Sequence, residues 1–352
     1  MALAARQAAI RALDWVLRER RMLAHLPADT RLSPGDAARA ARLASLVLRN
    51  LDPLDACLAP YLDRKPPLPA LLILRLATAE LLIAGEDPHG VVDSAVSLAK
   101  RGKKTARMGG MVNAVLRKTA AEGPERFAHH PPQRLPGWIG GPVKKRWGAE
   151  VLRAIEAAHV ALPPIDVTVK PGISLDIPEA TRLPTGSLRL PPGTQVSMLP
   201  GYADGALWVQ DAAAALPVRL LGEVTGKRVL DLCAAPGGKT MQLAALGAEV
   251  TALDLSEARM KRLRENLART RLKADLVTAD ALEHQAEPYD AILLDAPCTA
   301  SGTIRRHPDL PHVKRWTEVE PLTRLQMRLI DHALTLLKPG GTLVYCTCSL
   351  LP

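Results

Sequence analysis

Apolar residues recur at helical spacing along the first third of the chain. In Ala5–Glu19, Ile10, Leu13, Val16 and Leu17 share one face, which predicts a helix. A second helix is predicted from Ser33, a good N-cap, with Pro34 at the first helical position. Leu71–Gly85 is apolar nearly throughout and reads as a buried helix. His89–Ala120 holds a helix, a basic turn bearing glycine, and another helix. Residues 1 to about 128 therefore read as all-helical. Residues 130–142, HHPPQRLPGWIGG, read as a Pro/Gly-rich linker, with a short helix after it that carries Lys144, Lys145, Arg146 and Trp147 near its start. Short strands and prolines follow to about Pro200. The pattern changes again at Lys227. KRVLDLCAAPGGKT reads as strand, loop and helix start, AEVTALDLS as a strand, SEARMKRLRENLART as a helix and KADLVTAD as a strand. YDAILLDAP is a near-continuous apolar run, as buried parallel strands show. VEPLTRLQMRLIDHALTLLKPGG is predicted as a helix ending at Gly340, and TLVYCTC as a strand. This alternation predicts a doubly wound, mostly parallel α/β sheet behind an all-α front.

Charge divides the chain the same way. Residues 1–150 hold 24 Lys and Arg against 14 Asp and Glu, whereas residues 151–352 hold 22 against 22. The whole net charge of +10 lies in the helical part. A basic module beside a neutral one suggests a part that binds an anionic partner, naturally nucleic acid, and a part that does chemistry. The cations gather at Lys100, Arg101, Lys103, Lys104 and Arg107. No uninterrupted apolar run reaches the ~18 residues of a membrane span. The first residues carry charges where a signal peptide would be apolar. A cytoplasmic location, with no membrane partner, is expected.

In doubly wound sheets, ligands sit at the carboxyl ends of the strands. The first such loop here is Cys233, Ala234, Ala235, Pro236, Gly237, Gly238, Lys239. Its glycines let backbone approach a ligand, and the next helix offers its N-terminus. A phosphate-binding P-loop would need glycine at position 233, where cysteine stands, and the G-x-G-x-x-G dinucleotide fingerprint is absent. The remaining reading is S-adenosyl-L-methionine. Asp254, ending the second strand, is placed to accept ribose hydroxyls, and Asp280, ending the third, to meet the adenine amine. Asp231, inside the first strand, could reach the cofactor's amino end through the loop backbone or water. The plainer reading of these acids is helix capping. No metal is expected.

Five cysteines, odd in number and widely spread, do not make a disulfide framework. Cys57 is expected to be buried and inert, Cys233 to shape the loop, and Cys346, on a strand, to pack in the core. Cys298 and Cys348 lie on the next two strand-end loops and should converge beside the methyl donor. A thiol there has a specific use. Carbon 5 of cytosine is a weak nucleophile, and adding a thiolate to carbon 6 makes it enamine-like, so that it can take the methyl group. This needs a thiolate, hence a thiol acidified by nearby positive charge. Asp295 is the candidate for steadying the ring at nitrogen 3.

The stretches PHGVVDSAVSLAKR and MVNAVLRK resemble the NusB-like RNA-binding domain. VLDLCAAPGGKT, ILLDAPCTASGTIRRHPDL and LVYCTCS resemble the Sun/NSUN family of RNA 5-methylcytosine methyltransferases, and GALWVQDAAAAL resembles that family's lead-in to its catalytic domain. The resemblance implies a Rossmann-like class I methyltransferase domain over residues 205–352, a helical RNA-binding domain over 1–128 and a small connecting α+β subdomain over 129–204. It implies methyl transfer to carbon 5 of a cytosine in 16S ribosomal RNA, of the cytosine-967 type. Cys348 would then be the nucleophile and Cys298 the residue that helps release product. Cys233 to Lys239, Asp254, Asp280 and Asp295 would bind the cofactor or line its site. DNA cytosine methyltransferases use the Pro-Cys cysteine as nucleophile, which leaves the opposite assignment open. Arg305, Arg306, Lys314 and Arg315 are expected to form a basic rim around the site, with ordinary solvated charge as the plainer reading. RNA, free or in a partly assembled small ribosomal subunit, is the expected partner, and the protein is expected to act as a monomer. A transfer-RNA substrate and a non-catalytic assembly role are the competing readings. Family members continue past the Thr-Cys-Ser motif, so the end at Pro352 is expected to be a truncation; the alternative is a real loss of part of the sheet, with the fifth strand then an exposed edge.

Overall fold

Ser33 caps its helix as its sequence demands: its hydroxyl accepts from the Asp36 N–H at 3.1 Å, and Pro34 opens the first turn. The computed structural model describes residues 2–352. It divides into two compact units. One comprises the front of the chain through Leu162, with Ala300–Trp316 and Ser349–Pro352; the other comprises Pro163–Thr299 and Thr317–Cys348.

The first unit is helical. It contains α1 (Ala2–Leu17), α2 (Pro34–Leu48), α3 (Leu51–Leu58), α4 (Leu68–Leu82), α5 (Pro88–Arg101), α6 (Gly109–His129) and α7 (Gly137–Val160). Helix α4 is the central one. Leu72, Leu76 and Ala79 enter a core shared with α1 and α2, while Leu71, Ile73, Leu74 and Ala77 enter a second core shared with α5 and α6. A helix with apolar neighbours on two sides has no polar stripe, and its sequence shows none. Its two buried charges are paired: Glu80 accepts from Arg6 Nε at 2.8 Å, and Arg75 forks onto Asp55 at 2.7 and 2.6 Å.

The linker expected over residues 130–142 is shorter than the composition suggests. Helix α7 starts at Gly137, contains Pro142, and breaks at Gly148, whose φ is 88°. Ile139 and Val143 are fully buried against Ile304 and Leu310, and this burial holds a helical turn that glycine and proline disfavour. The helix is therefore long and kinked where a short one was expected.

The second unit holds two sheets. A small antiparallel sheet has the order β2-β3-β1-β4, from β1 (Ile165–Val169), β2 (Thr181–Arg182), β3 (Leu188–Leu190) and β4 (Leu207–Val209). Asp166 on β1 pairs with Arg189 on β3 at 2.7 Å and accepts the Ala212 N–H that opens α8 (Ala212–Leu220). The large sheet is parallel, in the order β7-β6-β5-β8-β9. Its chain order is β5 (Arg228–Leu232), α9 (Gly238–Ala245), β6 (Glu249–Asp254), α10 (Glu257–Thr270), β7 (Asp275–Thr278), β8 (Tyr289–Asp295), α12 (Val319–Thr335) and β9 (Leu337–Cys346). The short α11 (Leu310–Val313) lies between β8 and α12 in sequence but belongs to the first unit. The helix expected to reach Gly340 stops at Thr335. Pro339 cannot extend a helix, and Leu337 already pairs with Tyr289. The strand order reverses at β5, between β6 and β8, so the carboxyl ends of β5, β6 and β8 frame the crevice where such sheets take ligands.

Candidate active site

The loop after β5 is held by side chains of the neighbouring elements. Gly237 has φ of 100°, and a Cβ there would lie 2.7 Å from Leu263 Cγ on α10. Only glycine satisfies both demands. Gly238 has ordinary room, since a Cβ would meet Gln210 at 3.6 Å. Cys233 is left-handed, and burial, then Asp254, pushes its thiol up to about 12. Asp254, at the end of β6, accepts the Ala235 N–H at 3.1 Å and the Ser256 N–H at 2.9 Å. Arg259 lies 3.3 Å from the same carboxylate and also donates to the Ala235 carbonyl. Sequence reading missed Arg259; its place one turn into a strand-end helix was the available signal. Asp280 is exposed beyond β7 and accepts the Leu282 N–H at 2.9 Å.

Asp231 is fully buried in β5. It accepts the Thr240 hydroxyl at 2.6 Å through Oδ2, while Oδ1 has no hydrogen-bond partner. Burial pushes its carboxyl up to about 7.

The adjacent strands β8 and β9 bring three of the candidate groups together. Asp295 pairs in register with Cys346 at the end of the β8–β9 ladder. Lys239 Nζ lies 2.7 Å from Asp295 Oδ2, and the Cys346 thiol lies 3.5 Å from Asp295 Oδ1. Burial opposes the Lys239 ammonium, but the charge and hydrogen bond of Asp295 outweigh it and hold the group above its ordinary value. Cys346 packs at the edge of a core cluster as expected, but it also faces Asp295, and burial and that carboxylate push its thiol up to about 12. Beyond the strand ends, Cys298 and Cys348 meet sulfur to sulfur at 3.3 Å. The acidified thiol expected at Cys348 is not what the structure has. The Cys298 hydrogen bond and burial push Cys348 well above the ordinary thiol range.

Lys100, Arg101, Lys103, Lys104 and Arg107 are all exposed around one turn. Thr105 organises that turn by donating to the Ala99 carbonyl at 2.6 Å, and a Cβ at Gly102 would lie 2.3 Å from its hydroxyl. Arg305, Arg306, Lys314 and Arg315 belong to the first unit with the helices. Arg305 donates to the Leu162 and Ala161 carbonyls at 3.1 and 3.3 Å. Arg306 and Arg315 are exposed. Cys57 is buried, with its sulfur 3.9 Å from the Gly123 carbonyl. An apolar cleft lined by Ala8, Ala12, Trp15, Leu26 and Ala40 holds none of the candidate residues. Among the described residues, no cluster of three or more His, Cys, Asp or Glu is arranged to hold a metal ion, and no helix is long and apolar enough to cross a membrane.

Comparison with known proteins agrees with this architecture. Residues 3–121 match the NusB family, and residues 218–352 match the 16S rRNA methyltransferase RsmB/F family. Ribosomal RNA small subunit methyltransferase B of Salmonella arizonae is 33% identical over 99% of this chain and 87% of its own length. The chain belongs to the 16S rRNA methyltransferase B family. The solved structure of PH0851 superposes over 100% of this chain and 87% of that one, with a TM-score of 0.71 at 22% identity. NSun6 from Pyrococcus horikoshii, solved with SFG, covers 61% of this chain and 83% of its own, with a TM-score of 0.51 at 23% identity. Family membership makes the helical front a NusB-type domain and the parallel-sheet unit a methyltransferase fold. RNA methyl transfer is the family's activity.

Proposed function

We propose that this protein transfers the methyl group of S-adenosyl-L-methionine to carbon 5 of a cytosine in 16S ribosomal RNA, through a covalent bond between Cys348 and carbon 6. The observation that carries this reading is the 3.3 Å meeting of Cys298 and Cys348 beside Asp295, at the ends of adjacent parallel strands. Two thiols and a carboxylate at one strand edge match the needs of pyrimidine methylation. One sulfur must add to the ring, one group must help expel it, and an acid must steady nitrogen 3.

The donor set around the β5 loop fits S-adenosyl-L-methionine. Asp254 and Asp280 stand at or just past the ends of successive strands; Asp280 is exposed and holds one local N–H, while Asp254 holds two N–H groups with Arg259 beside it. The unpartnered Oδ1 of Asp231 is a buried acceptor under the same loop, suited to balancing an ammonium group. SFG, an analogue of this cofactor, accompanies NSun6 in its solved structure, and the shared fold supports the same cofactor here. When bound, the cofactor supplies an electrophilic methyl group on a sulfonium.

The chain's own residues do the rest. Cys348 attacks carbon 6 as a thiolate. Asp295, held by Lys239 and Cys346, meets nitrogen 3 of the ring. Cys298 stands next to the attacking sulfur, where it assists loss of the carbon-5 proton and departure of Cys348. The exposed cations at Lys100, Arg101, Lys103, Lys104 and Arg107 hold RNA by its phosphates. The target base must leave its stack to reach a sulfur at a strand end, which favours a loop or single strand. Bisulfite sequencing of 16S RNA from a strain lacking this gene tests the substrate. One cytosine should lose its methyl group and regain it on complementation. Unchanged methylation at every cytosine would contradict the assignment.

A further inference from the structure

The Cys298 and Cys348 sulfurs lie 3.3 Å apart. Cys348 is exposed and Cys298 half-buried, so a small oxidant has a path to the pair. A disulfide needs about 2.05 Å between sulfurs, so closure asks for a movement of about 1.3 Å. The backbone can supply it. Cys298 and Cys348 both lie past the strand ends, three and two residues beyond the register pair Asp295 and Cys346. Paired strands run about 4.8 Å apart, close to the Cα spacing that disulfides span. Cys346, by contrast, is fixed in the ladder with its thiol on Asp295, and Cys57 is buried against Gly123.

We propose that Cys298 and Cys348 form a reversible dithiol–disulfide couple, closed by hydrogen peroxide and reopened by a small dithiol. One sulfur, as its thiolate, attacks a peroxide oxygen. The O–O bond breaks, giving a sulfenic acid and, with one proton, water. The second sulfur then attacks the sulfenic sulfur. The S–O bond breaks, the S–S bond forms, and a second water leaves. The two thiols together lose two electrons and two protons, and the peroxide takes them up. Thiol–disulfide exchange with a dithiol reverses the bond. Its consequence for methyl transfer rests on the assignment of Cys348 as nucleophile; the bond itself does not.

The test treats the full-length chain with hydrogen peroxide, alkylates the remaining thiols, and maps peptides under non-reducing conditions. A peptide linking Cys298 to Cys348 should form first, at the expense of two of the five thiols, and vanish with dithiothreitol. Cys346→Ser should keep the link, whereas Cys298→Ala and Cys348→Ala should each abolish it. Links through Cys346 or Cys233, links between chains, or oxidation of one sulfur to sulfinic acid without a link would overturn the proposal. Methyl transfer is assayed on the same samples. Reversible loss of transfer in step with the link supports the couple and the nucleophile together. A link that leaves transfer intact supports the couple and overturns Cys348 as nucleophile.

Discussion

Lys239, at the start of α9, and Asp295, at the end of β8, close an ion pair of 2.7 Å within a single strand-end cluster. The pair aims the carboxylate proposed to meet the pyrimidine, with the Cys346 thiol on its other oxygen. Lys239→Met should leave the fold intact and slow methyl transfer by on the order of 10²-fold, as loss of one preorganised electrostatic partner does. Cys346→Ser should keep most activity, because a hydroxyl can donate in place of the thiol. Single-turnover kinetics on the two variants measure both effects.

The high thiol value of Cys348 gives the reaction a pH signature. A thiol held above its ordinary range by a hydrogen bond and burial is protonated at neutral pH. Its thiolate fraction then rises about tenfold per pH unit. Adduct formation under single-turnover conditions should climb with a slope near one in log rate from about pH 6.5 to 8.5. A flat profile over that range would mean that the thiol is already ionised when substrate is bound.

Asp231 should be a stability cost to the empty protein. Its carboxyl rises from 3.8 to about 7 on folding, chiefly through burial. Below pH 3.8 both states are protonated and nothing is lost. As pH rises toward 7 the unfolded chain ionises while the folded one resists, so stability falls across that window. Asp231→Asn removes this loss. Its stability relative to the native sequence should grow between those limits and level off above, by on the order of 2–4 kcal/mol. Denaturant midpoints at pH 4.5 and 8 measure the difference, and cofactor affinity should fall in the same variant.

The helical unit depends on a charge buried in its central helix. Glu80 is 1% exposed and accepts from Arg6, with Arg39 at 3.4 Å. Glu80→Ala would take the carboxylate from the buried Arg6 guanidinium and leave it the neutral Ser94 hydroxyl at 3.3 Å, and should destabilise the unit by about 3–5 kcal/mol. Thermal unfolding followed by circular dichroism would record it.

Much of this architecture was legible in the pattern of apolar positions. The buried α4, the Ser33 cap and the strand–helix alternation after Lys227 all follow from local spacing. The failures came where tertiary contacts overrule local preference. Gly137 to Val143 is helical because Ile139 and Val143 are buried against residues more than 150 positions away in sequence. Lys338 joins a strand because Asp290 and the β8 ladder hold it there, at 2.7 Å from its ammonium. In the site, motif spacing brought Cys298 and Cys348 together on paper and the fold does so in space. It did not reveal that the two thiols hydrogen-bond each other, or that Lys239 answers Asp295. Those contacts span 50 and 56 residues, and no local pattern encodes them.

Mass spectrometry of the protein incubated with 16S RNA and S-adenosyl-L-methionine tests the central claim most directly. With Cys298→Ala, a denaturation-resistant RNA adduct should accumulate, and digestion should map it to Cys348. With Cys348→Ala, no adduct and no methylated product should form. An adduct mapped to Cys298 in the native protein, or methylation that survives loss of Cys348, would contradict the account.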